Sequence, residues 1–266
     1  SYRERNGQFF TPNAVVDFIV EMISPKSHEL GSDPACGTGG FLFSALGYIY
    51  KHEKLSVVNQ MYFSEISEQI GRLIKMRTLF EFGIEDPNLT IGDSLEDKVE
   101  EKFDYVLSNP PFGSAGRVTN KEILTNYELG HNHKTGKVMQ NQVPDILFVE
   151  KIIKSLKYGG RGAIVLPNGN LENPSSMYLR EYLLKNVKMD AVVLLPSGTF
   201  IPYGTGVETS IIFFTRMKKE NLESLSDNDY YIFFSKINKL GYSFSKHSKE
   251  ERLKDGSIDQ DYKEVV

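Results

Sequence analysis

Two segments of this chain carry residue types that could do chemistry at short spacing. They are Asp33-Pro34-Ala35-Cys36-Gly37-Thr38-Gly39-Gly40 and Asn109-Pro110-Pro111-Phe112. The first is a tight glycine turn of the kind that joins a strand to a helix. Glycine has no Cβ, so such a turn lets backbone approach a ligand closely. It lacks the GK[ST] ending of a phosphate loop and is not GxGxxG, which disfavours a nucleoside triphosphate. The second segment places an amide and a phenyl ring at a strand exit. Together they read as a site holding an adenosine-containing cofactor beside a planar amine.

Elements must position these groups. Asp33, Glu65, Asp93 and Asn109 are separated by 32, 28 and 16 residues. That fits successive strand-helix units followed by a direct strand-to-strand step. Open α/β sheets bind ligands outside the carboxyl ends of their strands. A single Asp or Glu at such an end is usually a turn former or helix cap; four polar residues at four exits point to a site. Thr11-Pro12 predicts a helix N-cap followed by proline at the first helical position. Val15, Val16, Ile19, Val20 and Ile23 continue at helical spacing up to Pro25. Further helices are expected through Phe41–Ile49, Ile70–Phe80, Ile146–Leu156 and Tyr178–Leu184. Strands are expected at Gln60–Ser64, Leu89–Ile91, Phe103–Ser108, Gly162–Leu166, Asp190–Leu195 and Val207–Phe214, with Tyr230–Ile237 returning as one more. Strand alternating with helix implies a mostly parallel sheet with helices on both faces.

Bulk properties narrow the classes. At 266 residues and 40% hydrophobic content, the chain can bury a sizeable core. No run of 18 apolar residues suggests a membrane span, and the N-terminus lacks a signal segment. One cysteine rules out an intramolecular disulfide and suits a reducing cytoplasm, the expected location. A formal net charge of −4 is unusual for a chain that grips DNA alone. From Ser114 to Arg161, however, eight basic residues face four acidic ones. That stretch reads either as a solvated surface or as a DNA-facing edge completed by a partner.

The two motifs, with Gly7-Gln8-Phe9-Phe10-Thr11-Pro12 ahead of them, resemble the amino-methylating DNA methyltransferases. In this order they are similar to the methylation subunit of type I restriction-modification systems, an adenine-N6 methyltransferase. The likeness runs from about Gly7 to about Arg216. It implies an α/β S-adenosylmethionine-dependent methyltransferase fold: a mostly parallel seven-stranded sheet with an antiparallel edge and helices on both faces. Residues 1–217 would form the catalytic domain and 218–266 a C-terminal extension. Members normally carry a helical domain upstream, so the chain is expected to be a fragment.

The resemblance also assigns roles. S-adenosylmethionine is the implied cofactor. Asp33, Ala35, Gly37, Thr38, Gly39 and Gly40 would cradle it. Glu65 would accept from the ribose hydroxyls and Asp93, with Ser94 beside it, from the adenine amine. Gln8, Phe9, Phe10, Thr11, Pro12 and Asn13 would border the methionine end. Asn109, Pro110, Pro111 and Phe112 would be catalytic: the Asn109 side-chain oxygen and Pro110 carbonyl grip the amine of a flipped adenine, and Phe112 stacks on the base. DNA is the implied substrate. The implied partners are a separate specificity subunit and, in the complete assembly, a restriction (nuclease) subunit. Competing readings are methylation of rRNA guanine-N2 or of a protein glutamine amide, and a scaffold with a dead cofactor site. No metal is implied: His131 and His133 lack a third ligand. Cys36 reads as a small packed residue, and residues 113–143 as a mobile, solvated loop that orders on DNA.

Overall fold

The structure is a computed structural model that describes residues 10–113, 116–226, 230–244, 249–253 and 257–266. Helix α1 (Asn13–Ile23) buries Val15, Val16, Ile19, Val20 and Ile23. Thr11 does not cap it. Pro12 is the N-cap, at φ −58° and ψ 140°, so the helix begins one residue later than expected. The Thr11 hydroxyl is instead held by Asn109, a partner 98 residues away. The helix ends at Ser24 in a left-handed conformation, one residue before Pro25.

Strand and helix then alternate: β1 (Gly31–Asp33), α2 (Gly40–Glu53), β2 (Met61–Glu65), α3 (Glu68–Phe82) and β3 (Asn88–Ile91). Strand β4 (Phe103–Ser108) follows with no helix before it. The second half holds α4 (Lys121–Asn126), α5 (Pro144–Ser155), β5 (Leu156–Pro167), α6 (Asn168–Glu172) and α7 (Met177–Asn186). It closes with β6 (Val187–Leu194), β7 (Thr209–Arg216), α8 (Lys219–Ser226) and β8 (Phe233–Lys236). One sheet forms in the order β3-β2-β1-β4-β5-β7-β6-β8. Strands β1 to β5 pair in parallel, while β7 runs antiparallel to both β5 and β6.

The sheet has eight strands rather than seven, because β8 adds in parallel to β6. This is the strand expected from Tyr230–Ile237, and it places the antiparallel strand third from the edge. Successive residues of β4 and β5 alternate between two cores. Tyr105, Leu107, Ala163 and Val165 pack with α1 and α2; Val106, Ile164 and Leu166 pack with α5 and α7. Each fully buried Leu, Ile or Phe contributes about 1.5–3 kcal/mol to that layering. Strand order reverses between β1 and β4, and that switch point is where an open α/β sheet opens a ligand crevice.

The segment expected to be a solvated loop is folded over its described residues, 116–143. Ile123, Leu124, Tyr127 and Leu129 are buried. The carboxylate of Glu150, itself fully buried, accepts the backbone N–H groups of Glu128 and Leu129 at 2.8 and 2.7 Å. The Gln142 amide donates to the Leu129 carbonyl at 2.9 Å. His131 meets the Tyr127 carbonyl through Nδ1 at 2.8 Å, and His133 stacks on Tyr178. Side chains outside any helical period satisfy this backbone, which is why hydrophobic spacing did not reveal it.

Candidate active site

The glycine turn leaves β1 with two residues in the left-handed region, Gly37 at φ +54° and Gly39 at φ +81°. A Cβ on Gly37 would meet nothing within 4 Å, so this stretch of backbone faces open space. A Cβ on Gly39 would lie 2.6 Å from the Phe43 ring, so glycine is required there for packing as well as for backbone.

Two cavities meet at this turn. The larger, of about 380 Å³, is lined by Glu65, Ile66, Asp93, Ser94, Leu95 and Phe148, among others. The smaller, of about 310 Å³, is lined by Thr11, Asn13, Asp33, Cys36, Gly40 and Arg77, among others. Phe10, Ala35, Gly37, Thr38 and Asn109 belong to both. The four polar residues at strand exits therefore converge, as their spacing implied.

The side chain of Asn109 sits between the cavities. Its amide nitrogen donates to the Thr11 hydroxyl at 3.0 Å. Its amide oxygen is buried and, among the described residues, has no hydrogen-bond partner. A buried unmatched acceptor costs about 1–3 kcal/mol, and it is tolerated where a ligand supplies the missing donor.

The acidic residues differ in environment. Asp33 is 1% exposed, and its Oδ1 accepts from the Ala35 N–H at 3.0 Å and the Ser108 hydroxyl at 2.9 Å. Burial outweighs both bonds and raises its pKa to about 7. Glu65 accepts from the Gly37 N–H at 3.0 Å and the Ser67 N–H at 2.8 Å. Burial raises its pKa too. Glu65 therefore ties the glycine turn to the exit of β2. Asp93 Oδ1 accepts from the Leu95 N–H at 3.0 Å, and the Ser94 hydroxyl donates to the Pro34 carbonyl at 2.7 Å.

The remaining expected residues separate. Pro111 lines the larger cavity. Pro110 and Gly39 line neither, and Pro12 acts as the helix cap. Phe112 is 5% exposed, packs edge-on against Phe200 at 6.1 Å, and lines neither cavity. Gln8 and Phe9 lie outside the described residues. The Cys36 thiol is buried, and burial pushes its pKa well above the usual range, as befits a packed side chain. Among the described residues no group of three His, Cys, Asp or Glu side chains is placed to hold a metal ion. Sequence reasoning missed Phe148 on α5 and Arg77 on α3 as wall residues, and the Thr11–Asn109 bond. Nothing in their spacing marks them.

Half of the basic stretch is paired or buried. Lys154 pairs with Glu150, Lys157 with Asp104 and Arg161 with Glu29, and Lys151 is buried. Arg117, Lys121, Lys134 and Lys137 are exposed.

Comparisons with known proteins agree with this geometry. The model of the N-6 DNA methylase family matches residues 2–265. The EcoEI methylase subunit of a type I restriction enzyme from Escherichia coli is 33% identical over 220 residues, covering 79% of this chain and 42% of that protein. The chain thus spans under half the length of that relative. A solved chain of a type I restriction-modification system is 27% identical with a TM-score of 0.70, covering 97% of this chain and 50% of its own. A Listeria monocytogenes protein assigned to the class I S-adenosylmethionine-dependent methyltransferases has a TM-score of 0.70 at 16% identity, covering 87% of this chain and 66% of its own. It shares the fold. With a glycine turn, strand-exit acids and an Asn-Pro-Pro-Phe exit on that fold, the chain belongs to the N-6 DNA methylase family.

Proposed function

We propose that this chain is the catalytic part of a DNA adenine-N6 methyltransferase, the methylation subunit of a type I restriction-modification assembly. The observation that carries the reading is Asn109, which lines both cavities and whose buried amide oxygen has no hydrogen-bond partner among the described residues. An exocyclic amine is the donor that would complete it.

The walls fit S-adenosylmethionine. Glu65 and Asp93 line the larger cavity and would receive the ribose hydroxyls and the adenine amine. The apolar side chains of Ile66, Leu95 and Phe148 on the same wall suit a flat purine. Thr11, Asn13 and Asp33 line the smaller cavity and would border the methionine end. When bound, this cofactor supplies a methyl group already activated by its sulfonium.

The chain's own residues do the rest. An adenine N6 lone pair is delocalised into the ring, which makes the amine a poor nucleophile. Asn109 Oδ1 and the Pro110 carbonyl would accept its two hydrogens and draw the nitrogen towards a tetrahedral form. With the Asn109 amide nitrogen donated to Thr11, its oxygen is the end left for the substrate. Catalysis is then mainly positioning, aided by fixed dipoles. A paired base cannot reach this site, so flipping it out costs a few kcal/mol, and aromatic stacking returns roughly 1–3 kcal/mol. Phe112 would stack only once uncovered, because its ring now packs on Phe200; Pro111 meets the cavity directly.

The exposed Arg117, Lys121, Lys134 and Lys137 would meet phosphates beside the site. Sequence reading falls to a separate specificity subunit, with a nuclease subunit joining in the complete assembly. The test is to supply labelled S-adenosylmethionine to the full subunit with its specificity partner and to identify the modified nucleoside. N6-methyladenine in DNA is expected. Label in N2-methylguanine of rRNA or in a protein glutamine would overturn the reading.

A further inference from the structure

Among the described residues, Arg77 is the cation that lines the smaller cavity. It sits on α3, outside every motif, yet lines the same space as Thr11, Asp33 and Asn109. The central carbon of its guanidinium sits over the Phe43 ring, 3.9 Å from the centroid. Its Nε donates to Glu81 at 2.7 Å, an exposed pair one helical turn away. Among the described residues, neither terminal nitrogen of Arg77 donates a hydrogen bond. The Phe43 contact and the Nε bond hold the fork in place, which leaves its two-pronged edge for a planar anion. The first turn of α2, where helical N–H groups lack partners, opens on the same cavity through Gly40 and Phe41.

We propose that Arg77 recognises the carboxylate of the cofactor's methionine arm. This rests on the reading of the paired cavities as the S-adenosylmethionine site. The smaller cavity then divides its labour by charge. Asp33 answers the ammonium of the amino-acid moiety, and Arg77 answers the carboxylate. Their positions select a ligand carrying both groups over one that lacks either.

The experiment is calorimetric. Binding of S-adenosylmethionine, of its decarboxylated analogue and of 5′-methylthioadenosine is measured for the wild type, Arg77→Gln and Arg77→Lys. The wild type should prefer S-adenosylmethionine to the decarboxylated analogue by about 10- to 100-fold, the worth of a charge-assisted bond. Arg77→Gln should erase that preference while holding 5′-methylthioadenosine as tightly as the wild type, which also shows that the variant is folded. Arg77→Lys, keeping charge but losing the fork, should fall between. A preference that survives intact in Arg77→Gln would overturn the assignment to Arg77. Loss of all three ligands from Arg77→Gln would overturn it as well, because the role would then be structural. If the wild type binds none of the three, the cofactor reading itself has failed, and the assignment to Arg77 falls with it.

Discussion

Burying Asp33 should leave a measurable debt in stability at high pH. Its pKa rises from an ordinary 3.8 to about 7 because the carboxylate is 1% exposed. The unfolded chain loses this proton near pH 4, whereas the native protein keeps it up to about pH 7. Between those values the native state binds more protons, so stability falls as pH rises and levels off above about pH 7. With these two pKa values, burial of Asp33 costs about 2 kcal/mol at pH 5.5, where the native side chain stays protonated, and about 4 kcal/mol at pH 8.5, where it is ionised. Asp33→Asn removes the titration yet keeps an oxygen for the Ala35 N–H and the Ser108 hydroxyl. The difference in unfolding free energy between variant and wild type should therefore shift in favour of the variant by about 2 kcal/mol from pH 5.5 to pH 8.5. Urea unfolding followed by far-UV circular dichroism at both pH values would read it. In the proposed cofactor site the same carboxylate would face the methionine end, so wild-type affinity for S-adenosylmethionine should climb through pH 7 and the variant should lose that climb. Parallel pH profiles for the two proteins would refute the reasoning, since they would mean that Asp33 is solvated or ionised throughout.

Other perturbations probe other links. Thr11→Val removes the acceptor that orients Asn109 and should lower the methyl-transfer rate about 3- to 10-fold, with cofactor affinity nearly unchanged, by single-turnover kinetics. Glu150→Ala leaves the Glu128 and Leu129 N–H groups unmatched and should destabilise the protein by about 2–4 kcal/mol in urea titration. Gly39→Ala forces a side chain into the left-handed region and against Phe43, so a loss of about 1–3 kcal/mol is expected from thermal unfolding.

What the sequence disclosed and what it hid divide along physical lines. Asp33, Glu65, Asp93 and Asn109 were legible because each stands at the expected exit of a strand, and the parallel topology sends every such exit to one crevice. Gly37 and Gly39 were legible because left-handed turns select glycine. The fold of 116–143 was hidden because it rests on Glu150 and Gln142 satisfying backbone groups, a pairing without period. The polar Lys219–Ser226 helix was hidden for a related reason, as its sequence carries charge rather than an apolar stripe. Thr11 misled because a threonine before a proline reads locally as a cap, whereas its partner, Asn109, lies just past the end of β4 and 98 residues away. Phe112 shows the limit of a motif: residue type suggested a stacking platform, and the packing has covered it with Phe200.

In the proposed reaction the Asn109 oxygen acts on the substrate amine and not on the cofactor. Asn109→Ala separates the two by comparing calorimetric binding of S-adenosylmethionine with single-turnover methyl transfer to DNA. Affinity is expected within about threefold of the wild type and transfer reduced by at least about 100-fold, the scale of losing a group that acts in the transition state. Cofactor affinity and transfer falling together, or transfer surviving the substitution, would contradict it.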